Sequence, residues 1–436
     1  MWPESAPGGF LGAGMRRAGS SGLVREGGIA FVVAMSAVNL SNFVFHVVIS
    51  RLLGPSGYGA LGALLNVVVV ATIPLGAIQA AVTRTVANER KGGGPVRAGE
   101  RLALRRTTLR ACGGGALAMA CVWVAAPALE SFLHLGSPAS VVILGTWLVP
   151  AVAGAVLQGA LMGERRFAPV AWALIVGTGV TRLAVGIVLV EVGMGLNGAI
   201  AATAVSQAVT TAVVVLALLP ELRARASAHL RVPGRDGLLS LGALGGVAVL
   251  TSVDTFLARH FLLPAAAGNY TAAATAGRIA MFLPGAVTLL AFPRFAAGNG
   301  RDAEGRRAFG WSFGAVGAMG LLAAGVIALL PGLVVDILFG SDYHSAPSAV
   351  GTVALAGAFL GLVGLLAYYH LARNSPASLL AWPGAALACV LIWLFHGDIE
   401  SVALAMVGAS ASVLLAMSIP AFYGLHRARG SGERAS

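Results

Sequence analysis

The chain has 436 residues, of which 57% are apolar and only 11% are charged, and its mean hydropathy is +0.85. A soluble domain carries roughly 25% charged residues, because water must hydrate its surface. The composition therefore excludes a soluble globular protein and predicts one that lies in a lipid bilayer. The formal net charge of +12 is explained by basic segments that contact anionic membrane lipids, and we expect no nucleic-acid partner.

Apolar runs recur between arginine-rich breaks, and about 20 residues of helix cross a hydrocarbon layer about 30 Å thick. The sequence therefore predicts an all-α integral membrane protein of about twelve transmembrane helices. In chain order these are α1 (28–50), α2 (59–83), α3 (111–130), α4 (140–162), α5 (167–190), α6 (196–219), α7 (237–260), α8 (268–292), α9 (309–330), α10 (347–371), α11 (376–395) and α12 (401–425).

This pattern divides the chain into five parts. They are a cytoplasmic N-terminal leader (1–27), a first six-helix half (28–219), a cytoplasmic linker (220–236), a second six-helix half (237–425) and a cytoplasmic tail (426–436). With both termini on one side, most of the 29 Lys and Arg residues fall on that side. Positively charged segments resist translocation, so both termini are predicted to face the cytoplasm.

The two halves share a sequence pattern. Pro74 and Arg84 of α2 match Pro284 and Arg294 of α8 at the same spacing, although chance similarity between Ala-rich helices is an alternative. Two halves in the same orientation form a parallel repeat, which places a central cavity and the substrate site between them.

Three charged residues fall inside apolar runs: Arg182 in α5, Asp254 in α7 and Arg278 in α8. A charge within a bilayer costs several kcal/mol unless it faces water or a partner. Guanidinium groups donate paired hydrogen bonds to phosphate, so Arg278 and Arg182 are candidate diphosphate ligands. As an alternative, Asp254 neutralises one of them in a structural pair. With Thr251 and Thr255, Asp254 is also a candidate site for a coupling Na⁺ or proton, since these oxygens suit a hard cation.

A polar stripe follows α1. Ser36, Asn39, Asn42, His46 and Ser50 recur at steps of three and four residues, which places them on one helix face. Either this face lines a hydrophilic cavity, where Asn39, Asn42 and His46 bind sugar hydroxyls, or it holds α1 to a neighbouring helix. His46 has no companion at metal-ligand spacing, so neither a metal ion nor a cofactor is predicted.

Arg51 and Arg259 lie at equivalent places, at the ends of α1 and α7. Long basic side chains at such positions commonly extend to the lipid headgroups. Alternatively, the two arginines form a rim that binds the diphosphate on its release.

Two segments resemble one known family. The first is the stretch from Gly22 to Ala87, which contains SNFVFHVVISRLLGPSGYGALGALLNVVVVATIPLGAIQAAVTRTVA. The second is TSVDTFLARHFLLPAAAGNYTAAATAGRIAMFLPGAVTLLAFPRFAA (251–297). Both are similar to the polysaccharide and O-antigen flippases of the multidrug/oligosaccharidyl-lipid/polysaccharide exporter superfamily. The resemblance implies a flippase that moves a polyprenyl-diphosphate-linked oligosaccharide across the bacterial cytoplasmic membrane by alternating access. Its cargo would be a precursor of an envelope polysaccharide, and its partners would include a polymerase or glycosyltransferases.

Two other functions stay open. A cation-coupled drug or metabolite exporter of the same superfamily is one, although the early helices lack the acidic residues that such exporters often carry. An integral-membrane glycosyltransferase or polymerase is the other, but it needs paired carboxylates in a sizeable external loop. The acidic residues of the predicted outer loops are scattered, so no enzyme activity is predicted.

The predicted orientation can be tested by labelling intact cells, in a protein whose three cysteines have been replaced. A single cysteine at Gly94 is expected to resist a membrane-impermeant maleimide, because the basic 84–110 segment stays in the cytoplasm. A cysteine at Ser137 is expected to react. Reversed labelling would show that the orientation is wrong.

Overall fold

The computed structural model describes residues 11–91, 98–223, 235–285, 287–288, 295, 303–373 and 375–432. These residues are almost entirely helical and contain no β-strand. Nine segments among them are apolar and long enough to cross a membrane. The expected all-α membrane architecture is confirmed.

Two of the nine segments each contain two membrane spans. Ala34–Ala87 has 54 residues and Phe167–Ala217 has 51, whereas about 20 residues cross a bilayer. The helical path is broken in each by a glycine with positive φ, at Gly54 (65°) and at Gly193 (93°). Glycine adopts this conformation readily because it lacks a Cβ atom.

Hydrogen bonds across the breaks show that the chain reverses there. The His46 ring and the Tyr58 hydroxyl lie 3.1 Å apart, although twelve residues of continuous helix would separate them by about 18 Å. The hydroxyls of Thr178 and Thr210 similarly lie 3.4 Å apart. Each long segment is therefore a hairpin of two neighbouring helices.

Dividing these two segments turns the nine into eleven helices, and the helix that begins at Pro264 is the twelfth. The described residues therefore form the twelve helices that the sequence predicts. They are α1 (11–53), α2 (55–91), α3 (Ala98–Leu133), α4 (Ala139–Thr146 and Leu148–Gly163), α5 (167–194), α6 (Gly195–Ala217), α7 (Arg235–Leu250 and Val253–Phe261), α8 (Pro264–Gly277 and Ile279–Phe282), α9 (Ala303–Leu329), α10 (Ala346–Ala372), α11 (Ala381–Leu394) and α12 (Ile399–Gly432). Three short helices, Leu219–Arg223, Pro331–Leu338 and Pro376–Leu379, lie outside these spans.

Several helices extend beyond their predicted ends. The first begins at Leu11, inside the predicted leader, and the last continues to Gly432, inside the predicted tail. Most of the predicted 84–110 loop is also helical. The apolar run marks only the part that crosses the membrane, and the Ala, Arg and Glu residues of the 84–110 segment favour a helix in water. The 11–27 segment is instead rich in glycine, and helix propensity does not explain why it is helical. Arg294, which the repeat pattern matches with Arg84, lies outside the described residues.

The bundle has two ends, because successive helices run in opposite directions. The turn end holds the connections at 54, 134–138, 193–194, 262–263, 330–345 and 395–398. The arginine end holds the start of α1, the end of α12 and the described basic segments at 84–91, 98–110, 163–166 and 303–307.

The first six helices and the last six pack most closely where α2 crosses α8. A Cβ atom on Gly268 would lie 1.7 Å from the carbonyl oxygen of Pro55, and one on Gly59 would lie 2.7 Å from the Gly268 nitrogen. Small residues allow this approach of backbones in membrane bundles. Pro55 begins α2 and Gly268 lies near the start of α8, so the crossing is close to the turn end.

The buried apolar residues are distributed in agreement with this contact. The main cluster contains residues of both groups, among them Leu61, Leu133, Tyr270 and Val350. A smaller cluster with Val82, Leu157 and Val214 belongs to the first six helices. The two groups of helices therefore share a core, which includes the turn end.

A matched pair of glycine substitutions tests the α2–α8 crossing. Gly268→Ala forces the two backbones apart and is expected to lower the free energy of unfolding by about 1–3 kcal/mol, as overpacking does. Gly314→Ala in α9 is the control, since no atom lies within 4 Å of its added Cβ. Thermal unfolding of the purified protein in detergent gives the comparison. Equal midpoints for the two variants would contradict the assigned contact.

Candidate functional site

A buried ion pair joins α7 and α8. Arg278 Nη2 lies 2.7 Å from Asp254 Oδ1 and donates to the Thr255 hydroxyl at 3.0 Å. The Tyr270 hydroxyl donates to the other oxygen of Asp254 at 3.1 Å. The structure thus contains the pair that the sequence analysis gave as an alternative to a free Arg278.

Both charges of this pair lie where a helix is interrupted. Asp254 is in the first turn of Val253–Phe261, and Arg278 caps the end of Pro264–Gly277. A helix carries partial positive charge at its N-terminus and partial negative charge at its C-terminus, so each side chain lies at the favourable end. Interrupted helices commonly hold the substrate and ion sites of transporters.

Only one of the two predicted threonine partners is near the Asp254 carboxylate. The Thr255 hydroxyl lies 3.3 Å from Asp254 Oδ1. The Thr251 hydroxyl instead donates to the carbonyl of Ala248, one turn back, at 3.0 Å. In this conformation the carboxylate is therefore held by Arg278, Thr255 and Tyr270.

Arg182 in α5 is a second buried cation, with only 8% of its surface exposed. Its Nη1 donates to the Asn42 side-chain oxygen, and its guanidinium carbon lies 4.2 Å from the centre of the Phe45 ring. Its Nε has no hydrogen-bond partner. No carboxylate forms an ion pair with Arg182 in the described part of the chain, so its charge is balanced by neutral groups only.

The local backbone of α5 is also irregular. Arg182 follows directly after a π-helical segment, Leu174–Thr181. Such segments cost helix stability and occur often at functional sites.

A chain of hydrogen bonds connects α1 with α8. The His46 ring contacts the Tyr58 hydroxyl at 3.1 Å, and that hydroxyl lies 3.0 Å from the hydroxyl of Thr275. Thr275 precedes Arg278 by about one helical turn. Asn42, which accepts a hydrogen bond from Arg182, lies about one helical turn before His46 on α1. We define the candidate site as the two arginines together with His46, Tyr58 and Thr275.

Only some of the polar residues in the α1 stripe belong to the candidate site. Asn42 and His46 lie in the site and bond to α5 and α2. Asn39 is exposed and lies nearer the arginine end. Ser50 is fully buried and donates to the carbonyl of Val47 in its own helix. Two residues of the stripe therefore hold helices together at the site itself.

The structure places Arg51 and Arg259 away from this site, at the turn end. Arg259 is buried, and its Nε and Nη2 donate to the carbonyls of Leu133 and His134 at 2.9 and 2.8 Å. Arg51 is exposed, and its Nη2 donates to the carbonyl of Ile337 at 2.5 Å. Arg259 therefore does not extend to headgroups, and in this conformation neither arginine is free to form an anion-binding rim.

Sequence reasoning did not identify Tyr58, Tyr270 and Thr275. The sequence does contain a signal for the two tyrosines. Each lies near the start of a helix, α2 or α8, directly after a residue that is common in turns, in Gly57–Tyr58 and Asn269–Tyr270. A tyrosine in an apolar span needs a partner for its hydroxyl, which marks a polar site nearby.

Comparisons with known proteins agree with the geometry. A family model described as polysaccharide biosynthesis protein matches residues 24–298, which is more than half of the chain. No curated protein matches the sequence.

Several solved structures share the fold. An inward-facing multidrug resistance MATE family transporter of the MOP superfamily has a TM-score of 0.71 at 15% identity, over 93% of this chain and 100% of that one. An outward-facing MATE transporter has a TM-score of 0.60 at 17% identity, over 94% and 96%. A MOP superfamily transporter from Pyrococcus furiosus has a TM-score of 0.55 at 16% identity, over 93% and 95%.

Identities this low establish the fold alone, whereas the family model matches the sequence itself. The chain therefore belongs to the polysaccharide biosynthesis protein family and has the fold of MOP superfamily transporters.

Proposed function

We propose that the protein is a flippase that moves a polyprenyl-diphosphate-linked oligosaccharide across the bacterial cytoplasmic membrane. The observation that carries this proposal is Arg182, a buried guanidinium without an acidic partner in the described residues. A buried charge without a counter-ion costs several kcal/mol. A diphosphate bound between Arg182 and Arg278 would offset that cost.

The charge balance of the site favours an anionic cargo. The described charges here are two arginines and one carboxylate: Arg278 is paired with Asp254, whereas Arg182 is buried without an acidic partner. Guanidinium groups bind phosphate oxygens through paired, charge-assisted hydrogen bonds. A diphosphate headgroup would bind here while its polyprenyl tail remains in the lipid. The sugar need make few contacts, of which Asn42, His46 and the exposed Asn39 are the nearest candidates.

The contacts between the two groups of helices support an inward-facing state. The close α2–α8 approach lies near the turn end, and the fold matches the inward-facing transporter better than the outward-facing one, with TM-scores of 0.71 and 0.60. By the positive-inside rule, the arginine end faces the cytoplasm. Cargo would then enter the site from the side on which cytoplasmic glycosyltransferases assemble it, and a polymerase would receive it on the other side.

A cation-coupled exporter of the same superfamily is the second candidate function, and Asp254 is the observation that favours it. Carboxylate and hydroxyl oxygens bind Na⁺ or a proton. However, both oxygens of Asp254 already have protein partners, Arg278 and Thr255 on one and Tyr270 on the other. A coupling role would therefore require that the ion pair separate during transport.

The anion site is tested with two substitutions of Arg182. Arg182→Met keeps much of the volume but removes the charge, and it is expected to weaken binding of a polyprenyl diphosphate roughly 10- to 100-fold, as loss of hydrogen bonds to a charged group does. Arg182→Lys keeps the charge without the paired donors, so it should be intermediate. Binding to the purified protein in nanodiscs and headgroup translocation in proteoliposomes are the measurements.

The control is Arg105→Met, which removes an exposed arginine of α3. Thermal unfolding separates a binding role from a structural one. Arg182→Met loses the hydrogen bond to Asn42 and the contact with Phe45, but it also removes a buried charge that has no counter-ion in the described residues. Because the second effect offsets the first, the variant should not lower the unfolding temperature of the cargo-free protein. A destabilised variant with normal binding would show that Arg182 is structural.

The Asp254–Arg278 pair is tested by a double substitution. Asp254→Asn leaves Arg278 buried without its counter-ion and is expected to cost about 3–5 kcal/mol of stability. Adding Arg278→Met should restore stability, because no unpaired charge remains. If Arg278 binds the diphosphate, the double variant folds but does not translocate cargo, as measured in proteoliposomes.

Two other outcomes would revise the assignment. Recovery of both stability and translocation in the double variant would show that the pair is structural, and Arg182 would carry the site alone. Translocation by Asp254→Asn with the wild-type dependence on sodium and pH would exclude Asp254 as a coupling residue.

A further inference from the structure

Arg259 connects the two groups of helices at the turn end. It lies in the last turn of α7 and donates to the carbonyls of Leu133 and His134, where α3 ends. Its Nη1 lies 3.5 Å from the carbonyls of Ser56 and Pro264. A single guanidinium group thus contacts backbone oxygens of α2, of the end of α3 and of the start of α8.

Arg51 makes the corresponding connection from the first six helices to the last six. It lies near the end of α1 and donates to the carbonyl of Ile337, in the last turn of the short helix that follows α9. Arg259 of the seventh helix therefore binds the end of the third helix, and Arg51 of the first helix binds the segment that follows the ninth. In each case the acceptor lies in the other group of helices. The two contacts have the same form with the two groups exchanged.

The acceptors in both contacts are suited to a cation. The last carbonyls of a helix have no intrahelical donor, and they carry the negative end of the helix dipole. Leu133 ends its helix, and Ile337 is next to the last residue of Pro331–Leu338. Each arginine therefore supplies hydrogen bonds that the partner backbone otherwise lacks, and each receives favourable electrostatics in return.

A second hydrogen bond to a backbone carbonyl accompanies each arginine. Beside Arg259, the His260 ring stacks on Phe132 with a centroid distance of 3.9 Å, and its Nδ1 lies 2.8 Å from the Phe132 carbonyl. Beside Arg51, the Tyr343 hydroxyl donates to the carbonyl of Ser50 at 2.7 Å. Both of these bonds also join the first six helices to the last six.

We propose that Arg51 and Arg259 form a reciprocal latch that holds the turn end closed. Separating the two groups of helices at this end breaks all of these bonds except that of Arg259 with Pro264, which lies within one group. It leaves two guanidinium groups and several helix-terminal carbonyls to be hydrated. The latch therefore favours the closed turn end until binding free energy or membrane potential opposes it. This role concerns the protein without cargo, so it does not depend on the proposed diphosphate site.

The two arms of the latch differ in burial. Arg259 is 5% exposed, whereas Arg51 is exposed to solvent. Hydrogen bonds shielded from water are harder to replace. Arg259 is therefore the stronger arm, and Arg51 the weaker one.

The test uses a cysteine that reacts only when the turn end opens. Thr271 in α8 is 3% exposed and faces Gly62 of α2, so Thr271→Cys in a cysteine-free protein reports on the α2–α8 contact. Its rate of modification by a maleimide, in the purified protein without cargo, is proportional to the open fraction even when that fraction is small. Arg259→Met is expected to raise the rate roughly tenfold or more, as loss of charge-assisted hydrogen bonds does.

Graded variants complete the test. Arg51→Met should raise the rate less than Arg259→Met, and Arg259→Lys should fall between wild type and Arg259→Met, because an ammonium group cannot reproduce the planar fork. A cysteine at the exposed Ser137 should react equally fast in every variant, and Arg105→Met should leave the Thr271→Cys rate unchanged.

An unchanged Thr271→Cys rate in a folded Arg259→Met protein would overturn the latch. If Arg259→Met does not fold, the exposed Arg51→Met and the single-bond variant Tyr343→Phe decide the matter. Both must raise the rate, and an unchanged rate in either variant would overturn the proposal.

Discussion

An arginine inside an apolar bundle must find its hydrogen-bond acceptors in the protein or in a ligand, because the bilayer supplies no water. The four arginines of the candidate site and of the latch meet this requirement in different ways. Arg278 has a carboxylate, Arg259 has helix-terminal carbonyls and Arg51 has one carbonyl near solvent. Arg182 has an amide oxygen and an aromatic ring, and one of its nitrogens has no partner. Its hydrogen-bonding capacity is therefore incompletely used.

The positions of these arginines along the bundle correspond to two tasks. Arg51 and Arg259 lie at the turn end, where the groups of helices meet through the glycine contact of α2 with α8. Arg182 and Arg278 lie deeper, where Arg182 contacts Asn42 and Phe45 on the helix of His46 and Arg278 follows Thr275 of the hydrogen-bond chain. One pair of cations therefore acts on the contact between the helix groups, and the other is placed where a cargo anion would bind. A transporter that alternates its access needs both a central site and an end that closes above it.

The sequence was sufficient for features that depend on length and periodicity. Apolar runs predicted twelve spans, and the stripe on α1 predicted that Asn42 and His46 share a face. Helix ends and interruptions were not predictable in the same way. The α1 helix begins in a glycine-rich segment, although glycine disfavours a helix. The α7 break at 251–252 contains neither proline nor glycine. The partners of Arg259 could not be predicted either, because backbone carbonyls leave no trace in side-chain chemistry.

The contrast between Arg278 and Arg182 bears on how the proposed diphosphate would enter the site. Arg278 is already paired with Asp254, so an incoming phosphate must compete with a carboxylate for the same donors. Arg182 has no such competitor among the described residues, and a first phosphate oxygen there would gain a counter-charge without displacing one. Exchange at Arg278 would then release the Asp254 carboxylate, which would need a new positive partner. Cargo binding and cation or proton uptake by Asp254 would thus be linked through one guanidinium group, and the linkage would be reciprocal.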